Sequence, residues 1–179
     1  MIFKLFDEKY DLSFVTSSYL DNGSLAVIAY DKKNGEEFSY VTVNLPMSLA
    51  YGDLQYLDVN NSQYLIDTMV KEKYIEMTDY KGRSGYVLYP MGVFTEKFYW
   101  EVEEDYWKEM YLRFSDGDKE DCDKAFLAVK PDTIQEMHDI NIKFTKEFAD
   151  KKTPEFMICN FPIADYYMAE VTNLSNNDQ

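Results

Sequence analysis

Two hairpin signals within the first 36 residues constrain this chain more than any other feature. Asp21-Asn22-Gly23-Ser24 and Asp31-Lys32-Lys33-Asn34-Gly35-Glu36 are turn chemistry, because Asn and Gly tolerate positive φ. Asn-Gly between strand-like runs is a strong short-range hairpin signal. The runs around these turns, 12–20, 25–30 and 38–44, are rich in β-branched and aromatic residues. A β-meander is predicted, with residues 2–6 adding an edge strand.

A helix is predicted over 62–73, capped by Asn60 or Asn61. Leu65, Ile66, Met69 and Val70 repeat at the spacing of one buried face. Strands follow at 74–77 and 85–89 around a Lys81-Gly82-Arg83-Ser84 turn. Pro90 ends the second of them, and 92–100 reads as one more strand. Further on, 131–150 predicts a helix with Pro131 in its first turn and Ile134, Met137, Phe144 and Phe148 on one face. A strand at 155–161, a short helix at 163–171 and a polar tail complete the reading. The expected fold class is α+β: an antiparallel β-meander with a packed helix, then a more helical, acidic C-terminal part. The expected divisions are a β-rich domain over 1–100, an acidic mixed part over 101–172, and the tail over 173–179.

A chain of 179 residues buries enough surface to fold without disulfides or a metal. Aromatics make up 17% of it, more than a disordered chain carries. Two cysteines, Cys122 and Cys159, are too few for a disulfide framework. Charges interrupt MIFKLFDEKYDLSF too early for a signal peptide, and no run approaches the ~20 apolar residues of a membrane span. A cytoplasmic protein of a bacterial host, with free thiols, is the expectation.

The net charge of −15 argues against direct binding to nucleic acid, whose affinity comes largely from Lys and Arg neutralising phosphates. It argues equally against anionic membranes. It is compatible with plain solubility or with attraction to a basic protein surface.

Catalytic chemistry is hard to find. His138 is the single histidine, and a lone helical His is more often structural than catalytic. Neither cysteine sits in a nucleophile context. The run Asp116-Gly117-Asp118-Lys119-Glu120-Asp121-Cys122-Asp123 suggests a calcium loop, but an EF-hand needs Gly sixth and a carboxylate twelfth. Those positions hold Asp121 and Leu127. No phosphate loop, GxSxG, HExxH or dinucleotide fingerprint occurs. No catalytic residue, metal or cofactor is expected.

The most distinctive constellation runs from Phe94 to Phe114. Both tryptophans fall here, interleaved with acids. Residues 95–123 hold eleven acids (Glu96, Glu101, Glu103, Glu104, Asp105, Glu109, Asp116, Asp118, Glu120, Asp121, Asp123) against four bases (Lys97, Lys108, Arg113, Lys119), a net −7. Trp and Tyr dominate binding hot spots, and carboxylates around them complement Arg and Lys on a partner. The candidate partner-binding residues are Trp100, Glu101, Glu103, Glu104, Asp105, Tyr106, Trp107, Glu109, Asp116, Asp118, Glu120 and Asp121. The plainer reading makes the aromatics core and the acids a solvated face.

The segments NGSLAVIAYD (22–31), NGEEFSYVTVNLP (34–46), YLDVNN (56–61) and SGYVLYP (84–90) resemble a small domain family of unassigned function found in phages and mobile elements. The likeness covers roughly the first 100 residues and contains no catalytic motif. In size and acidity the whole chain also resembles phage anti-CRISPR proteins directed at Cas9. That resemblance implies an inhibitor that acts by binding, at a basic nucleic-acid channel of Cas9 or on its guide-RNA complex. The alternatives are a carboxylate/metal-dependent nuclease acting on RNA, or an acidic accessory protein of a mobile element. Nothing in the sequence sets an oligomeric state.

Overall fold

The computed structural model describes residues 1–46 and 49–149. The strand predicted at 155–161, the helix at 163–171, the tail and Cys159 lie outside the described residues. The chain divides into a first unit, Met1–Tyr99, and a second that begins at Trp100. The fold is α+β.

The first unit opens with the meander. Strands β1 (Ile2–Leu5), β2 (Glu8–Ser18), β3 (Leu25–Asp31) and β4 (Glu36–Tyr40) form a four-stranded antiparallel sheet in sequence order. The second hairpin turn closes at Gly35, whose φ of 70° suits glycine, with Gly35 N–H donating to Asp31 O at 2.8 Å. Alternation sets the buried face: Leu12 and Phe14 on β2, and Val27 and Ala29 on β3, turn inward beside Phe3.

A second, three-stranded antiparallel sheet is built from β5 (Leu54–Tyr56), β6 (Ile75–Ser84) and β7 (Val87–Phe94), in the order β5-β7-β6. Helix α1 (Val59–Lys71) lies between β5 and β6 in the chain. It starts earlier than the sequence predicts, because Asp58 is the N-cap. The Asp58 carboxylate accepts from Asn61 N–H at 3.3 Å and from Asn61 Nδ2 at 2.8 Å. Leu65, Ile66 and Met69 are buried as their spacing requires. Burial of side chains this size contributes about 1.5–3 kcal/mol each.

Three local predictions are corrected. The β6–β7 turn lies at Gly85-Tyr86, where Gly85 takes φ 58°, and Lys81 to Ser84 remain in strand β6. Pro90 does not end its strand; it stands inside β7 opposite Lys81. The missing N–H is tolerated there because the pairing with β5 begins only at Met91, and a bulge in β6 between Met77 and Lys81 interrupts the ladder beside it. Strand β7 ends at Phe94, and Glu96 begins a helix where the sequence suggested strand. Phe98, in that helix's first turns, packs on Phe94 at 4.6 Å and Phe14 at 5.5 Å.

From Trp100 on, the described structure is helical. Helix α2 (Glu96–Phe114) continues into the second unit, followed by α3 (Lys119–Val129) and α4 (Ile134–Ala149). Helix α3 was not foreseen from its sequence. Met137 is fully buried on α4, with Ile134 and Phe144 half-buried; the side chain of Phe148 is outside the described residues.

Candidate partner-binding face of the second unit

The acid-rich helix α2 is sorted by its 3.6-residue period. Val102, Glu103, Tyr106, Trp107 and Met110 fall on one buried stripe, while Glu109, Leu112 and Arg113 are exposed. Trp107 centres the second unit's core with Cys122, Phe126 and Met137. Its indole stacks on Tyr111 at 5.2 Å and 18°, and meets Phe126 at 5.5 Å and Phe144 at 5.9 Å. Trp100 is half-buried against this cluster. Of the aromatic candidates, then, Tyr106 and Trp107 are interior side chains and Trp100 is partly covered.

The acids divide into three groups. Glu103 is buried, its side chain only 9% exposed, and accepts from Asn141 Nδ2 at 2.6 Å. His138 Nδ1 lies 3.0 Å from its other oxygen. A buried carboxylate needs such partners, because its desolvation is otherwise costly. Asn141 Nδ2 also donates to the Glu103 carbonyl at 3.0 Å, tying α4 to α2 through backbone and side chain together.

The second group is structural at the surface. Asp118 caps α3, accepting from Glu120 N–H at 2.8 Å and Asp121 N–H at 3.1 Å. The Asp121 carboxylate accepts in return from Asp118 N–H at 3.4 Å, completing a capping box. Glu120 and Asp121 sit in the first turn, where the helix dipole favours negative charge. Glu104 and Asp123 both face Lys108, at 2.7 and 3.7 Å, while Glu109 pairs with Arg113 at 2.7 Å and Glu120 with Lys124 at 2.8 Å. Exposed pairs of this kind contribute little each, ~0–1 kcal/mol.

The third group overlaps the second: it is the set of exposed acids within a partner's reach, most of them already capping a helix or paired. Glu109, Asp116, Asp118, Glu120, Asp121 and Asp123 are all exposed, six carboxylates within fifteen residues. Glu101 and Asp105 are half-buried on α2.

The titration behaviour follows from this packing. Burial pushes the Tyr106 phenol above its ordinary value, partly offset by its hydrogen bond to Thr145 at 2.7 Å. Burial alone would lower the Lys108 ammonium, but the hydrogen bond and charge of Glu104, helped by Asp123, raise it. Burial raises the Cys122 thiol, and Asp123 raises it further, which leaves a core thiol with little thiolate at neutral pH. Among the described residues no three His, Cys, Asp or Glu side chains converge to hold a metal ion, and no helix is long and apolar enough to cross a membrane.

The Glu103–His138–Asn141 contact was not foreseen from sequence. Its members lie 35 and 38 residues apart, and the one signal available was a carboxylate on the apolar stripe of α2.

The geometry thus defines a class: an α+β protein whose acid-coated helical unit has an aromatic interior. Residues 13–113, more than half the chain, match the family described as a domain of unknown function (DUF4313), and the chain belongs to that family. The match runs from β2 to Arg113 in α2 and ends before the acidic turn at Asp116. No curated protein and no solved structure matches the chain.

Proposed function

We propose that this protein acts by binding, as a phage- or mobile-element-encoded inhibitor that occupies the basic nucleic-acid surface of a type II Cas9 or of its guide-RNA complex. The observation that carries the reading is the run of six exposed carboxylates from Glu109 to Asp123. The α3 capping box sets the start of the helix that carries Glu120, Asp121 and Asp123, and the Trp107 cluster packs the interior of the same unit. Fixed negative charge of this density complements the positively charged channels in which such effectors hold guide, heteroduplex and displaced strand. It also speeds encounter with a basic partner at low salt.

The test is Cas9 cleavage of a target DNA with and without the protein, added before or after the guide RNA. The triple variant Glu109→Lys, Asp116→Lys, Glu120→Lys is run beside the wild type. These three side chains are exposed, and none is the α3 cap. The reading expects inhibition by the wild type and its loss in the variant, with the fold retained. Absence of inhibition by the wild type overturns the Cas9 reading. Full inhibition by the variant moves the interface off this face.

A further inference from the structure

Asn-Gly occurs twice in the chain, at Asn22-Gly23 in the β2–β3 turn and at Asn34-Gly35 in the β3–β4 turn. The two sites are closely matched in backbone. Gly23 takes φ 69° and Gly35 φ 70°. Gly23 N–H donates to Tyr19 O and Gly35 N–H to Asp31 O, each at 2.8 Å. Asn22 and Asn34 are both exposed. Asn-Gly is chemically weak because glycine has no Cβ to keep its amide nitrogen away from the asparagine side chain. What differs between the two sites is how that side chain is held.

Asn22 is tied to a distant part of the chain. Its Oδ1 accepts from Ser24 N–H at 3.0 Å and from Ser24 Oγ at 2.8 Å, and its Nδ2 donates to Asn44 Oδ1 at 2.8 Å. Asn44 is itself fixed, donating to Asp21 Oδ1 at 2.5 Å. Asn34 has no such anchor among the described residues. Its Oδ1 accepts from Glu36 N–H and its Nδ2 donates to Glu36 Oε2, both at 3.0 Å. Both bonds therefore stay within one exposed turn.

We propose that Asn34 is a site of spontaneous covalent modification, deamidation through a succinimide, and that Asn22 is protected from it by Asn44 and Ser24. The Gly35 amide nitrogen attacks Asn34 Cγ and gives up its proton. The new N–Cγ bond forms, the Cγ–Nδ2 bond breaks, and Nδ2 leaves with that proton as ammonia. Water then opens the ring at either carbonyl, giving aspartate or isoaspartate. At Asn22 the same attack must first break the bonds to Asn44 and Ser24; at Asn34 it breaks only those to Glu36. Either product replaces the donor facing Glu36 by a carboxylate, in a turn that already holds Asp31, and like charges at such positions destabilise the pairing. Isoaspartate also adds a methylene to the backbone loop that Gly35 N–H closes. The modification thus loosens the Asp31–Glu36 end of edge strand β4 with time.

The test incubates the full chain in mildly alkaline buffer, folded and in denaturant, and follows aspartate and isoaspartate at each Asn-Gly by peptide mass spectrometry. Each folded rate is divided by the denatured rate at the same site, which removes the effect of local sequence. The protection at Asn22 should exceed that at Asn34 about tenfold, the scale of one or two further hydrogen bonds to break. Asn44→Ala, checked for folding by circular dichroism, should speed deamidation at Asn22 and leave Asn34 unchanged. The wild-type comparison stands without that variant. Equal protection at the two sites, a faster Asn22, or an intact Asn34 after the denatured chain has reacted would overturn the proposal. So would an Asn22 rate that folded Asn44→Ala does not move.

Discussion

His138 Nδ1 stands 3.0 Å from Glu103 Oε1, so the one imidazole of the protein is spent on a buried carboxylate joining α4 to α2. With Asn141 on the other carboxylate oxygen, Glu103 serves as a joint between helices. A carboxylate on an apolar stripe can thus be structural even in a chain whose other acids crowd the surface.

Glu103→Ala is therefore expected to destabilise the protein by about 2–4 kcal/mol, because it takes the carboxylate acceptor from the buried Asn141 amide. Glu103→Gln retains the volume and one acceptor and should cost less. Chemical denaturation of both variants measures the difference. Equal stability of Glu103→Ala and wild type would remove the joint from the account.

Trp107→Ala should cost about 3–5 kcal/mol, the usual range for emptying a large aromatic from a core. The same variant should lose the blue-shifted part of the tryptophan emission, since Trp100 is only half-buried. An unchanged emission maximum would place Trp107 in water.

Asp118→Ala removes the capping side chain of α3 and should destabilise by about 1 kcal/mol, whereas Asp118→Asn keeps an acceptor there and should be nearly neutral. Thermal melts compare the two. The pair separates a capping role from a charge role, because both substitutions remove the same negative charge.

Tyr106 gives a pH prediction. Its folded-state value is raised by burial above the ordinary phenol value of 10.0. The neutral phenol is the form the folded protein favours. Its stabilising contribution is thus complete below the unfolded value and is lost as pH rises through the folded one. Stability should fall above pH 10 in the wild type, and less steeply in Tyr106→Phe, which also forgoes the Thr145 hydrogen bond. Denaturation midpoints from pH 8 to 11 test this; parallel pH curves would refute it.

Much of the first unit was legible because its punctuation is local. Asn34-Gly35 between two strand-like runs marks a turn, and the structure closes the turn at Gly35. The cap of α1 was missed by two or three residues, since Asp58, Asn60 and Asn61 can each cap and only the tertiary position of Asp58 selects it. Pro90 was read as a stop because its tolerance depends on a bulge in another strand.

Helix α2 was the harder case. Phe98, Tyr99, Trp100, Tyr106, Trp107 and Tyr111 are strand-favouring residues, and the helical stripe is blurred by Glu103 inside and Leu112 outside. Its helicity comes from packing, with Trp107 meeting side chains of α3 and α4 that no local window contains.

The most direct measurement is the salt-dependent inhibition of guide-loaded type II Cas9 by wild type and by the Glu109→Lys, Asp116→Lys, Glu120→Lys variant. The account predicts potent wild-type inhibition at low salt that weakens steeply as salt rises, and a variant at least tenfold weaker at low salt, the gap narrowing as salt rises, with the variant still folded. Wild-type inhibition that is insensitive to salt and equal in the variant, or no inhibition at all, would contradict it.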